Sequence, residues 1–446
     1  MLGVDEDEIT NTIKIHNKKE FGDLSIAIFK LNKYKDISTI KIQELINEKL
    51  NTEVVRCELH KEVYLNFFIN KNIVVEAVIN NILQENKIIE SNNKNVFIEV
   101  DEVKVANEIT ERNIVIAVLG NVLKNIFRTK GYNAILVNNL NDDNSNKKRV
   151  KEVKGIYKNF NLKFSHIKIK SGYRNFEKEK YDKLLINKIN GVDVITLENY
   201  NMAPYEIKNN RNELEINTFA HRIGNSNYNR IIYIVAKKDI SIVKRKIKVL
   251  ELLKEEKCEI VQCDMIKFEK ENIFRVLDED IGLNKLMKLE AFKKSKFINN
   301  RERLVDSIKY TLLNKSNKKN SYIEEADIFE EKNGCLGYII KTKVRINNIL
   351  RAATNYNKEN ISRLVDDNNK YELIMELSNY SKVLELIIVS LEIEYLNKYI
   401  INIIDKFNEV YINNDIKSED IVLIKAIDVI MIDILEIMGL RVSLWG

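Results

Sequence analysis

With 446 residues, 45% of them hydrophobic, and a net charge of +6, the chain is long enough for two or three domains with sizeable cores. Its four cysteines, of which only Cys258 and Cys263 lie close together, and four scattered histidines (His16, His60, His166, His221) argue against a zinc site or a disulfide framework, so no metal and no cofactor is expected. The acidic start, Met1 to Lys14, does not read as a signal peptide, and the apolar stretches at 384–391 and 421–437 are short or broken by charges, which predicts a reduced, cytoplasmic protein with no membrane partner.

Residues 1–92 read as one α+β unit. Helix patterns run from Leu24 to Leu31 and from Ile40 to Leu50. Strands follow at Thr52 to Leu59 and Glu62 to Phe68, then an amphipathic helix from Ile73 to Glu85. The polar run Glu90 to Lys94 reads as a linker.

Residues 93–325 alternate apolar strands with helical patterns, which predicts a parallel α/β sheet. Strands are expected at Val96–Val100, Ala134–Asn138, Val192–Leu197, Ile231–Ala236 and Cys258–Cys263, and helices at Ile240–Glu255 and Leu283–Lys294. Asp143 to Lys154 is polar and charged and reads as a loop. From residue 326 to 446 the apolar positions recur with the helical period, with short polar turns such as Asn413-Asn414-Asp415, which predicts an antiparallel all-α bundle.

Several short motifs occur in one order along the chain. Gly22-Asp23 and Val63-Tyr64-Leu65-Asn66-Phe67 come first. Val96 to Asp142 then carries a strand, a loop, a helix with Gly120, Asn121 and Leu123, a Gly131-Tyr132 turn, a second strand and Asn141-Asp142. Arg230 to Val235 forms an Arg-Ile-Ile-Tyr-Ile-Val strand. Tyr338, Arg345 and Ile349-Leu350 mark a later helix, followed by Phe407, Asn408 and Tyr411, and by Ile437-Met438-Gly439-Leu440 near the end. This collinear set resembles the arginyl-tRNA synthetases. The resemblance implies an α/β Rossmann-like core of the class I aminoacyl-tRNA synthetase kind at 93–325. It also implies an N-terminal additional α+β domain at 1–92 that touches the tRNA elbow through the region of Asn66. The bundle at 326–446 is then a DALR-type anticodon-binding domain.

The catalytic motifs of that family are altered here. Its His-x-Gly-His signature, which gives hydrogen bonds to phosphate oxygens while glycine lets the nucleotide lie close, becomes Thr110-Glu111-Arg112-Asn113. Thr110 and Asn113 keep hydrogen-bonding capacity, but Glu111 repels phosphate and Arg112 crowds the nucleotide. The family's Gly-Ala-Asp after the Arg230–Val235 strand becomes Ala236-Lys237-Lys238. Only Glu269 to Arg275 separates the Met265–Phe268 strand from Val276-Leu277-Asp278, too short for a mobile Lys-Met-Ser-Lys loop. Together these losses remove several kcal/mol of transition-state stabilisation, so no catalytic residue is assigned and a pseudoenzyme is expected.

The residues expected to meet tRNA are Tyr338, Lys341, Arg345, Arg351 and Tyr411 in the bundle, read from their mix of aromatics and cations, and Asn66 in the N-terminal domain, from the resemblance. Aromatics mixed with cations suit unstacked anticodon bases. Tyr338 and Tyr411 read equally as half-buried packing residues. Lys237, Lys238, Lys244, Arg245, Lys246 and Lys248 read equally as a phosphate contact or a solvated helix face. Lys293, Lys294 and Lys296, and Lys147, Lys148, Arg149 and Lys151, read as solvated groups; Asp278-Glu279-Asp280 reads as an acidic helix start. The first expectation is thus a tRNA-binding, catalytically inactive adaptor that serves another tRNA-acting enzyme and has no DNA partner. A divergent but active arginine–tRNA ligase and a protein-interaction module without RNA binding are the alternatives.

Overall fold

The computed structural model describes residues 9, 12–15, 22–28, 38–50, 53–84, 91–100, 111–138, 154–155, 157–164, 186–206, 228–236, 240–253, 262–268, 290–315, 324–353, 358–412 and 415–442. By internal contact the chain forms two compact units. The smaller comprises residues 1–84, 353–378 and 407–426; the larger comprises 85–352, 379–406 and 427–446.

The smaller unit is built on an antiparallel sheet of β1 (Ile13–Ile15), β2 (Leu24–Ala27), β3 (Val54–His60) and β4 (Tyr64–Ile69), in the order β1-β2-β4-β3. The helix expected from Leu24 is a strand. Leu24–Ala27 alternates half-buried and buried positions, the period of a sheet with one covered face, and pairs with Tyr64–Phe67. Tertiary pairing has overridden a helix-like apolar spacing. Gly22 (φ +73°) makes the entry possible, because a Cβ there would sit 2.7 Å from the Phe67 carbonyl oxygen.

Helix α1 (Thr39–Asn47) begins at Ser38, whose hydroxyl accepts from the Lys41 amide. Its Gln43 and Asn47 side-chain amides both donate to the Cys57 carbonyl, at 3.1 and 3.0 Å, and tie it to β3. Ile28, Ile42, Cys57 and Leu65 form the core beneath. Helix α2 (Lys71–Leu83) packs against a 3-10 segment at Lys358–Asp366 and against α9 (Asn368–Ser378; α3 to α8 are introduced below).

The larger unit centres on a four-stranded, wholly parallel sheet of β5 (Asn95–Val100), β6 (Asn133–Asn138), β10 (Tyr228–Ala236) and β11 (Gln262–Phe268). The order is β11-β10-β5-β6, so the chain leaves β5 for one side and later returns on the other. Helix α3 (Glu111–Thr129) makes the first crossover and buries Ile114 to Leu119, Val122, Leu123, Ile126 and Phe127. Gly120 lets it approach closely: a Cβ would meet Leu136 Cδ1 at 2.6 Å and Val100 Cγ1 at 3.0 Å. The strand expected at Cys258 runs instead from Gln262 to Phe268; residues 258–261 lie outside the described residues.

The strand expected at Val192 does not join this sheet. Val192–Ile195 (β8) pairs antiparallel with Ile186–Ile189 (β7) and with Tyr205–Glu206 (β9). The reason is local. Asn190 (φ 52°) and Gly191 (φ +79°) form a two-residue hairpin turn whose twist matches antiparallel strands. Helix α4 (Ile240–Leu253) contacts both β9 and β10.

Of the helix expected at Leu283–Lys294, Glu290–Lys294 (α5) is described; 283–289, Glu90 and 143–153 lie outside the described residues. Ser91 to Lys94 belongs to neither helix nor strand. The remainder is helical: α6 (Arg301–Lys315), α7 (Glu325–Phe329), α8 (Leu336–Ala352), α9, α10 (Tyr380–Ser390), α11 (Glu394–Tyr411) and α12 (Asp420–Ile437). Among the described residues, no helix is long and apolar enough to cross a membrane.

Candidate nucleic-acid interface

The order β11-β10-β5-β6 places the topological switch between β5 and β10, where open α/β sheets leave a crevice beyond their carboxyl ends. β5 ends at Val100 and α3 starts at Glu111, so Glu111, Arg112 and Asn113 open the helix that follows β5. Thr110, Lys237, Lys238 and Glu269 to Arg275 lie outside the described residues, as do the side chains of Glu111, Arg112 and Asn113. Glu99, unremarked in the sequence, is buried in the middle strand opposite Tyr233 of β10. Among the described residues, no group of three or more His, Cys, Asp or Glu side chains is placed to hold a metal.

The bundle residues separate once the helix is built. On α8, Tyr338, Lys341 and Arg345 follow one another at three and four residues and share one stripe. Arg351 is exposed but turned from that stripe by roughly a third of a turn. The Tyr338 hydroxyl donates to Asp405 of α11 at 2.7 Å, and the Asn333 amide donates to the same carboxylate at 3.2 Å. The ring, half-buried, is thereby held by its edge. Lys341 is exposed, and its nearest carboxylate, Glu331, is 3.8 Å away, too loose to hold it. Lys343 points the other way, buried against Asp428 and Asn347 at 2.6 Å from each. Asp405 was not legible as part of this site, because it lies 67 residues from Tyr338 and carries no motif.

Tyr411 and Asn66 belong to the smaller unit and are not brought to a surface. Tyr411 is 1% exposed, packs on Phe407 and donates its hydroxyl to Asp420 at 3.3 Å. Burial first, then the neighbouring Asp420, pushes its pKa up. Its ring is buried on Phe407. The same Asp420 takes the Lys370 ammonium at 2.5 Å. Asn66 is 5% exposed in the middle of β4, between Ser25 and Glu58 of the flanking strands.

The other basic groups fall as follows. Lys293, Lys294 and Lys296 are exposed; 147–151 lies outside the described residues. Lys244, Arg245 and Lys248 lie on α4, with Arg245 Nη1 donating to the Pro204 carbonyl at 2.8 Å.

Residues 339–443 match the DALR anticodon binding domain. An arginine–tRNA ligase of Clostridium botulinum is 22% identical over 521 positions, covering 95% of this chain and 92% of the relative. An arginine–tRNA ligase of Halothermothrix orenii is 33% identical over 141 residues, 30% of this chain and 25% of the relative. The arginyl-tRNA synthetase structure from Thermus thermophilus superposes with a TM-score of 0.68 at 12% identity, over 96% of this chain and 95% of that one. That from Plasmodium falciparum gives 0.67 at 14% identity, over 98% and 95%. The fold is that of a class I aminoacyl-tRNA synthetase: a Rossmann-like parallel sheet with an α+β part before it and helices after it. Residues 339–443 thus match a DALR anticodon binding domain, and the chain is similar along nearly its whole length to arginine–tRNA ligases, whose fold it shares.

Proposed function

We propose that this chain binds tRNA, an arginine acceptor in the first instance, without forming an aminoacyl-adenylate, and serves as an adaptor for another tRNA-acting enzyme. The observation that carries this reading is the contrast between body and signature. The likeness to the Clostridium botulinum ligase covers 95% of this chain, yet by the motif resemblance Thr110-Glu111-Arg112-Asn113 falls where the signature histidines and glycine of such ligases are expected. The alignment also needs 521 positions, more than the 446 residues present here, so that relative carries stretches this chain lacks. A shortened loop after β11 is in keeping with that difference.

Supporting the RNA part are the DALR match and the stripe of Tyr338, Lys341 and Arg345. A division into N-terminal domain (1–92), degenerate catalytic domain (93–325) and anticodon-binding bundle (326–446) belongs to the same reading, and so does a cytoplasmic setting, where tRNA is found. Sequencing the RNA that co-purifies with the chain, together with an arginine-dependent ATP–pyrophosphate exchange assay, tests it. Enrichment of tRNA without exchange is the expected result. Exchange clearly above background would replace it by a divergent, active arginine–tRNA ligase, which the full-length likeness to ligases favours as the second reading. No enrichment of tRNA would leave a protein-interaction module.

A further inference from the structure

The β7–β9 sheet and α4 share a small core of Ile195, Leu197, Tyr205 and Val249, with Met202 and Leu252 packed against it. One large aromatic next to this core is left outside. Tyr200 is 42% exposed, whereas Tyr205, five positions later, is 6% exposed. Its backbone is fixed: the Tyr200 and Met202 amides both donate to the Leu197 carbonyl, and Asn201 closes the turn with φ 54°. The ring therefore stands on a rigid support.

Helix α4 supplies cations beside it. Lys248 places Nζ 4.6 Å from the Tyr200 ring centroid. Lys244 lies one turn earlier on the same side of the helix and is exposed. Arg245 does not compete for the surface, because its guanidinium is held by Pro204. We propose that Tyr200, Lys244 and Lys248 form a binding face for a single-stranded stretch of RNA, with one base stacked on Tyr200 and neighbouring phosphates on the two lysines. This rests on the RNA-binding reading above only for the class of partner, since none of these residues belongs to α8 or the N-terminal sheet.

The chemistry favours this occupant in three ways. An i,i+4 pair of lysines is separated by ~6 Å along the helix, which suits successive phosphates of one strand. An exposed ring stacks on a base only when that base is out of a duplex. Glu198, exposed in the same turn, weakens attraction for a featureless polyanion, so the ring must carry part of the binding.

The test uses the full chain and a fluorescein-labelled oligouridine of a dozen or so nucleotides, which contains no anticodon arm, read by anisotropy at two salt concentrations. Tyr200→Ala should weaken binding about tenfold, while Tyr200→Phe, which keeps the ring, should stay near the wild-type value. Lys244→Glu should weaken binding and flatten its salt dependence. Lys293→Glu, an exposed lysine that the sequence reads as solvated, should leave oligouridine affinity near the wild-type value. tRNA binding measured in parallel should survive Tyr200→Ala better than oligouridine binding does, so failure of the tRNA-binding reading and failure of this face are read separately. Equal affinity of Tyr200→Ala and wild type overturns the proposal. So does equally effective competition by polyaspartate, which would point to an acidic protein partner, and so does absence of oligouridine binding by the intact chain.

Discussion

Arg441 and Asp306 lie 135 positions apart and form one charged contact: Nη2 is 2.9 Å from Oδ1, and the Arg441 amide donates to Oδ2 at 2.9 Å. The Asp306 side chain is 0% exposed. Around the pair, Asn125 of α3 donates to the Ile437 carbonyl at 2.9 Å, and Lys309 of α6 donates to the Gly439 carbonyl. The turn after α12 is thus fastened by side chains to α6 and to the first crossover helix of the parallel sheet. Gly439 (φ +71°) permits this, as a Cβ would sit 3.0 Å from the Asn121 amide nitrogen and 3.2 Å from Lys309 Nζ.

Removing one partner of that pair should be costly. Arg441→Ala leaves the Asp306 carboxylate buried without its guanidinium, and a loss of about 3–5 kcal/mol of unfolding free energy is expected. Urea denaturation of the variant and the parent measures it. A loss under about 1 kcal/mol would mean that water or Lys309 already satisfies the carboxylate.

Lys309 should also leave a mark on the pH dependence of stability. Burial, the largest influence, lowers its pKa to about 8 from 10.5, against the raising effect of Asp306. The unfolded chain then holds more protons than the folded one between about pH 8 and 10.5, so this lysine's contribution to stability rises with pH across that window. Lys309→Met should lessen the rise in denaturation midpoint between pH 8 and 10 relative to the parent. An unchanged slope would show that Lys309 is solvated in the folded state.

The α8 stripe makes a binding prediction. Lys341→Glu/Arg345→Glu should weaken tRNA binding by roughly 1–3 kcal/mol and reduce the slope of log affinity against log salt. Arg351→Glu, turned away from the stripe, should cost less. Filter binding across a salt series checks both, and equal effects of the two sets would remove the reason for assigning the stripe.

For catalysis, Thr110→His/Asn113→His should not restore ATP–pyrophosphate exchange. The histidines would return beside Glu111 and Arg112, with Lys237-Lys238 and the short segment after β11 unchanged. Exchange in the double variant above the parent's background would show that the altered signature alone had silenced the site.

Within the chain, local residues determined the elements whose partners are near in sequence or whose pattern is strong. Val96–Val100, apolar but for Glu99, and the continuously apolar Ile231–Ala236 read as strands buried on both faces, and they lie side by side and parallel in the central sheet. The all-helical C-terminal part was legible from its period, because a helix buries a stripe at 3.6 residues per turn whatever it packs against. Asn190-Gly191 carries the hairpin that pairs Val192–Ile195 with Ile186–Ile189. Other features had no local signal. Leu24–Ala27 is a strand only because β4, some forty residues away, offers its edge. Tyr338 and Tyr411 are both tyrosines on helices with an acid nearby in space, yet one is held at its edge by Asp405 and the other is sealed against Phe407 and Asp420. Exposure is a property of what comes to lie alongside, and the acids that hold Tyr338 and Arg441 arrive from 67 and 135 positions away. Chemical type is written in each residue, whereas which cations and rings face outward was decided only when distant helices filled the space beside them.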